Sequence, residues 1–263
     1  MKEVKKIENA ILMGRKPGAG EALEYLISSG INVLLVVASK NETFKGCLAE
    51  IAKRNNIPVH YNDKELYKMI EANDSFIKDV DLVISYLYLQ RIKNPLIALG
   101  KRGCVNFHPA PLPDYKGRAG YNTAILDMKD SFGVSSHFID SEEFDEGPII
   151  KVTRFALDKN NETAFSLEKK AQGALIALFK EVIPLFQNGD EIKVIKNEGG
   201  LSLTGKELEK LKIVDLQKDS AEEIDRKIRA FFFPPYSGAK VVVGEREFTL
   251  INDEILEKIS KKL

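Results

Sequence analysis

Short apolar runs alternate with amphipathic stretches through the first half of the chain. Residues 10–14 (Ala-Ile-Leu-Met-Gly) and 31–38 (Ile-Asn-Val-Leu-Leu-Val-Val-Ala) have the length of strands. The second is rich in β-branched residues, as expected of a strand covered on both faces. Between them, Ala22, Leu23, Leu26 and Ile27 fall at helical spacing. Strand, helix, strand is the opening of a parallel sheet. The same alternation predicts a helix over 48–55, a short strand over 57–60 and a helix over 64–73. A strand over 80–85, a short helix over 95–100 and a strand over 103–108 follow, the last running into a proline-rich turn. After Gly133 the pattern changes to two strands, 134–139 and 149–155, and a long helix over 163–187 with one broad apolar stripe.

Residues 188–205 are polar and contain glycines, which reads as a linker. Beyond them the pattern predicts a helix over 221–231 and two paired strands, 238–243 and 248–251, around Gly244-Glu-Arg-Glu. The expected architecture is therefore α/β. A Rossmann-like, mostly parallel sheet with helices on both faces occupies 1–187, and a small α+β module occupies 206–263. A length of 263 residues suits one large domain with such an appendage.

Charge and cysteine content narrow the function. Lys plus Arg and Asp plus Glu both number 39, so the net charge is zero, which argues against a protein that wraps nucleic acid. Cys47 and Cys104 stand alone, with no spacing for a zinc site or a disulfide framework, and no metal is expected. The apolar run that begins the chain is too short for a secretory signal or a membrane span, so a cytoplasmic protein with no membrane partner is expected. The glycines at 14, 18 and 20 follow the first strand, where a phosphate loop would sit, but their spacing fits neither the dinucleotide fingerprint nor the P-loop. Residues 200–206 mimic a P-loop, yet Glu207 stands where the magnesium-binding hydroxyl belongs.

The chemistry concentrates in 105–117, Val-Asn-Phe-His-Pro-Ala-Pro-Leu-Pro-Asp-Tyr-Lys-Gly. Asn106 and His108 are two apart on a strand, so they share one face at the carboxyl end where open α/β sheets bind ligands. An amide donor beside an imidazole suits a carbonyl that must become tetrahedral, although a capping Asn and a hydrogen-bonded structural His would leave the same pattern. Asp145, followed by Gly147, Pro148 and an apolar strand, adds a carboxylate at a loop-to-strand junction. Glu142 and Glu143 read as a solvated loop, and His60 as structural on an edge strand.

Four ordered motifs carry a family resemblance: Asn106-x-His108-Pro109, Leu112-Pro113-x-Tyr115-Lys116-Gly117, Gly133-Val-Ser-Ser-His137 and Asp145-x-Gly147-x-Ile149. Together, over residues 8–187, they resemble the catalytic domain of the 10-formyltetrahydrofolate-dependent formyltransferases. The resemblance implies the formyltransferase fold, a catalytic trio of Asn106, His108 and Asp145, and N10-formyltetrahydrofolate as formyl donor without a metal. It implies a supporting role for His137, with a structural histidine as the alternative. It further implies a pterin site between the end of the strand at Tyr86 and Leu87 and the loop beginning at Ile139 and Asp140.

The acceptor is to be read from the tail. Ile228-Arg-Ala-Phe-Phe-Phe-Pro-Pro-Tyr-Ser-Gly-Ala239 looks like the signature of the sugar-nucleotide N-formyltransferases, which the methionyl-tRNA enzymes share more loosely. By that resemblance the acceptor is a dTDP- or UDP-linked amino sugar, with Tyr115, Lys116, Arg118, Tyr121, Phe233 and Tyr236 as its binding residues. Methionyl-tRNA formylation and a non-catalytic folate- or nucleotide-binding module are the alternatives. The short C-terminal hairpin allows a homodimer.

Overall fold

The structure, a computed structural model, describes residues 6–260; the ends of the sequence at 1–5 and 261–263 lie outside the described residues. The chain begins β1 (Asn9–Gly14), α1 (Lys16–Ser28), β2 (Asn32–Ala38), α2 (Leu48–Arg54), β3 (Val59–His60), α3 (Lys64–Glu71), β4 (Leu82–Tyr86) and β5 (Cys104–His108). It continues with β6 (Tyr115–Lys116), α4 (Gly120–Leu126), β7 (Ser131–Phe138), β8 (Ile149–Ala156) and α5 (Ala164–Gln187). The last part holds β9 (Leu201–Ser202), α6 (Gly205–Leu211), α7 (Ala221–Phe231), β10 (Lys240–Val243), β11 (Arg246–Thr249) and α8 (Asp253–Ser260).

Seven strands form one sheet in the order β3-β2-β1-β4-β5-β7-β8. The first five are parallel, whereas β7 and β8 join antiparallel. Alternation along each strand sorts side chains to two covered faces. Ala10 and Leu12 of β1 join Leu82, Ile84 and Tyr86 of β4 in a core under α1, α2 and α5. Ile11, Met13 and Val83 face the other way, onto Leu66 of α3 and onto Leu96 and Ile97. Helices on both faces of a mostly parallel sheet are what the sequence pattern predicts. Thr163 caps α5 in a capping box with Ser166, and the helix buries Leu167, Leu175, Leu178, Phe179 and Phe186 against the sheet.

One expected helix is absent: residues 95–100 form successive turns. Ile97 N bonds back to Lys93 O, but Ala98 and Leu99 bond back only three residues, to Pro95 and Leu96. Pro95 offers no N–H, and the segment is too short to complete a helical nucleus before Gly100. No described helix is long and apolar enough to cross a membrane.

The C-terminal part starts on the large sheet domain rather than away from it. Residues 195–202 run back along it: Ile195 pairs with Ile149, and β9 pairs in parallel with β6. Helix α7 docks beside α4 and α5, with Asn122 Nδ2 donating to Ala230 O at 2.7 Å and Arg229 Nη1 to Lys159 O at 3.0 Å. The hairpin β10–β11 pairs Val241 with Phe248 and turns at Gly244, whose φ of +61° suits glycine.

Candidate active site

Strands β4 and β5 end side by side, at Tyr86 and His108, next to β1 where the strand order reverses. Val105 and Phe107 point into the core beneath α5, so Asn106 and His108 stand on the opposite face. Pairing places Ser85 beside Asn106 on one side, and His137 and Ser135 beside Asn106 and His108 on the other. The loop that leaves β7 then returns Asp145 to this spot.

Asp145 is the hub. Its Oδ1 receives Asn106 Nδ2 at 3.1 Å and lies 3.3 Å from both His108 Nδ1 and His137 Nε2. Its Oδ2 accepts the Gly117 N–H at 2.9 Å. Asp145 is only 8% exposed and has φ of +56°, a left-handed conformation that Asp tolerates better than most side chains. Burial alone would raise its pKa. The His108 and His137 rings and the Gly117 N–H outweigh that and hold the carboxyl well below the usual carboxylate range.

His108 is 4% exposed, and burial is the main cause that pushes its pKa below the ordinary 6.5, against the opposing pull of Asp145. Its Nε2 lies 3.0 Å from Tyr115 O. A carbonyl only accepts, so Nε2 carries the hydrogen, and the basic nitrogen of the neutral ring is Nδ1, on the Asp145 side. His137 Nδ1 donates to Phe138 O at 2.8 Å by the same argument, which leaves Nε2 to accept from Asn106 Nδ2 at 3.0 Å. Asn106 Oδ1 accepts from Ser85 Oγ at 2.7 Å. Both Nδ2 hydrogens of Asn106 are thus engaged, and offering one to another oxygen means releasing Asp145 or His137. Such a set can stabilise an oxyanion and move one proton, the demands of acyl transfer.

The surrounding loops are pinned. Ser135 Oγ donates to Ala110 O and accepts from Leu112 N, both at 2.8 Å, which fixes the proline-rich turn. A Cβ on Gly147 would meet Phe138 O at 1.8 Å. Gly147→Ala is therefore expected to destabilise the fold by about 1–3 kcal/mol and to move Asp145, read as a lower Tm together with a lower kcat.

The remaining residues singled out in the sequence occupy several positions. Tyr86 and Leu87 are buried; the Tyr86 ring packs on Phe107 and Phe179, and its carbonyl accepts from Arg15 N at 3.2 Å. Ile139 follows β7, and the exposed Asp140 starts the loop toward Asp145. That loop touches the 88–94 segment, where Arg91 stands 5.0 Å from the Phe144 ring centre and Asn94 N donates to Glu142 Oε1 at 3.3 Å. Tyr115 is turned inward against Phe132, and Lys116 is buried in an ion pair with Glu146. Arg118 is exposed, with Nη2 3.4 Å from Leu89 O, and Tyr121 is half-buried against Phe132. Phe233 and Tyr236 form an aromatic pair 5.9 Å apart, with Lys16 Nζ 5.7 Å from the Phe233 ring. His60 sits half-buried on the edge strand β3. Among the described residues no cluster of side chains is arranged to hold a metal ion.

Sequence reasoning missed Ser85, Ser135, Asn197 and the Gly117 N–H. The first two become visible once the strand registers are known. Asn197 gave no signal, because its segment reads as a polar linker.

Comparison with known proteins supplies the family. The sequence pattern of the formyl transferases matches residues 9–183. GDP-perosamine N-formyltransferase from Brucella melitensis biotype 1 is 30% identical over 241 residues, 90% of this chain and 89% of the relative. Methionyl-tRNA formyltransferase from Clostridioides difficile strain 630 is 26% identical over 264 residues, covering 96% of this chain and 82% of that protein. The crystal structure of an N-formyltransferase from Helicobacter canadensis, in complex with folinic acid and dTDP-3-aminofucose, shares the fold. It superposes with a TM-score of 0.71 at 24% identity, over 91% of this chain and 85% of that one. With the family pattern across the sheet domain and a relative matched along nearly all of both chains, this protein belongs to the formyl transferase family.

Proposed function

We propose that this formyltransferase moves the formyl group of N10-formyltetrahydrofolate to the amine of an amino sugar carried on a nucleotide. The observation that carries the reaction is the convergence of Asn106 and His108 on Asp145 at the carboxyl end of β5. The acceptor class is carried over from the GDP-perosamine enzyme, which matches this chain along nearly its whole length.

The folate would supply an activated formyl group; its pterin is assigned to the crevice between the backbone at Tyr86–Leu87 and the loop from Ile139 and Asp140 to Asp145. The Arg91 guanidinium over the Phe144 ring, at the edge of this region, offers a planar cation and an aromatic face for a flat heterocycle. Asn106 offers an amide N–H to the oxygen that gains negative charge as the amine attacks. Neutral His108 takes the amine's proton on Nδ1, and the Asp145 carboxylate, 3.3 Å away, stabilises the resulting imidazolium. As the tetrahedral carbon collapses its bond to N10 breaks, and the imidazolium returns the proton to N10, so that tetrahydrofolate leaves with N10 as a neutral amine. His137 keeps Asn106 and Asp145 in register. On the acceptor side, Phe233 and Tyr236 offer faces for a base, and the exposed Arg118 offers positive charge for a diphosphate, whereas Lys16 is already paired with Glu168. We assign Tyr115 and Lys116 to the scaffold, because their side chains are buried, and Tyr121 to the wall beside Phe132.

The test is an acceptor screen. Purified protein and 10-formyltetrahydrofolate are mixed separately with GDP-, dTDP- and UDP-linked amino sugars, with glycinamide ribonucleotide and with methionyl-tRNA, and products are weighed. One formyl gained on one class of amino-sugar nucleotide is expected; formylation of methionyl-tRNA instead would overturn the acceptor assignment. A second expected outcome concerns salt. Binding of a nucleotide sugar, with only its diphosphate to neutralise, should weaken modestly between about 50 and 200 mM salt, whereas a tRNA partner with 6–10 phosphate contacts would lose about 10³–10⁵ in affinity.

A further inference from the structure

We infer that Asn197, in the strap that follows α5, is a positioning residue that holds Asp145 through its backbone. Asn197 is 8% exposed, and its Nδ2 donates to Asp145 O at 2.7 Å and to Gly147 O at 2.9 Å. One side-chain amide therefore spans the turn that carries the Asp145 carboxylate, on the outside of that turn.

The strap is anchored on both sides of this contact. Before it, Ile195 and Ile149 exchange two backbone hydrogen bonds of 2.8 Å at the start of β8. After it, Leu201 N donates to Asp114 O at 2.9 Å, and Gly200, with φ of +87°, lies so close to Pro113 that a Cβ there would meet Pro113 O at 1.7 Å. Lys116 closes the arrangement, with Nζ paired to Glu146 and 3.4 Å from Asn197 O. Asp145 and Glu146 are thus held to Gly117 and Lys116, residue for neighbouring residue, and the strap lies across the pair. The contact on Asp145 Oδ2 from Gly117 N–H fixes the carboxylate from one end, and Asn197 fixes the main chain behind it. Asp145 is left-handed without being glycine, a conformation that persists only where the surroundings over-determine it, and these are the surroundings.

The inference rests on His108 and Asp145 being the reacting pair, so its test includes a readout without substrate. In the full chain, Asn197→Ala removes both donors, Asn197→Asp puts an acceptor in their place at equal size, and Asn197→Ser keeps one shorter donor. Loss of kcat on the order of 10²-fold is expected for Asn197→Ala and Asn197→Asp, with KM for both substrates close to wild type and Asn197→Ser between. The imidazoles of the three histidines are titrated by ¹⁵N NMR in the same proteins. His108 is faced by Asp145, His137 and the Tyr115 carbonyl; when Asp145 drifts away, the His108 titration is expected to move to lower pH. An unmoved His108 titration in whichever of the three variants folds overturns the positioning role, whatever happens to Tm. A moved titration with wild-type kcat supports Asn197's hold on Asp145 and overturns instead the assignment of that pair to the chemistry.

Discussion

Replacing His108 with Asn lowers kcat by about 10²–10⁴-fold, the usual contribution of a positioned acid–base group. An amide fills part of the ring's volume but has no basic nitrogen to take up a proton at neutral pH. The Asp145 carboxylate, which faces the imidazole at 3.3 Å, then has no imidazolium to stabilise. Stability should fall by about 1–3 kcal/mol, since the ring is buried and its hydrogen bond to Tyr115 O must be replaced, although it lies outside the aromatic core around Phe107 and Phe179. Steady-state rates and thermal unfolding on the same preparation separate the two effects. An unchanged kcat would remove His108 from the chemistry.

Asp145→Asn carries the second large effect, and its signs can be worked out. Asn accepts the same left-handed backbone, so the loop keeps its course. The charge is lost, and the amide N–H₂ that replaces one oxygen now faces a donor, from Gly117 or from Asn106, so kcat should again fall by about 10²–10⁴-fold. The stability consequence depends on pH. The native carboxyl of Asp145 lies well below its unfolded value of 3.8, so it contributes stability that is fully present above that pH and is lost as pH falls toward the native pKa. The Tm difference between wild type and Asp145→Asn should therefore be largest at neutral pH and shrink below about pH 4. A constant difference would mean that the carboxylate is not held as the structure has it. In the rate profile, loss of enzyme activity from protonation of His108 should set in only below pH 6.5 in the wild type, because burial lowers that pKa. It should set in lower still in Asp145→Asn, whose side chain no longer supports the cation.

The parallel half of the sheet was legible because its strands are apolar on both faces and most are separated by amphipathic helices, the turns between β4 and β5 excepted. Helix α5 was legible from its stripe and from Thr163. Helix α4 was not: Gly120 opens it without a side-chain cap, and its burial comes from packing on α5 and α7 rather than from a local pattern. Helix α6 carried a readable capping box, Thr204 with Glu207, inside a stretch that otherwise resembles a loop. The residues that converge in the candidate site could be read because Asn106 and His108 share one strand and Asp145 has a glycine turn of its own. The partners that finish the site could not. Ser85 reaches Asn106 through strand register, and Asn197 reaches Asp145 from 52 residues away. Such contacts exist only once the sheet order and the path of the strap are fixed. Lys116 shows the converse, a positive charge that looks available in the sequence and is buried against Glu146 in the fold.

The most direct test of this account follows a labelled formyl group. With 10-formyltetrahydrofolate carrying the label, wild type, His108→Asn and Asp145→Asn are compared over the same panel of amino-sugar nucleotides. The account predicts that label passes from folate to the sugar amine in the wild type, at a rate about 10²–10⁴ times that of either variant, with all three proteins folded. Label passing to methionyl-tRNA and to no amino sugar, or equal transfer by wild type and variants, would contradict it.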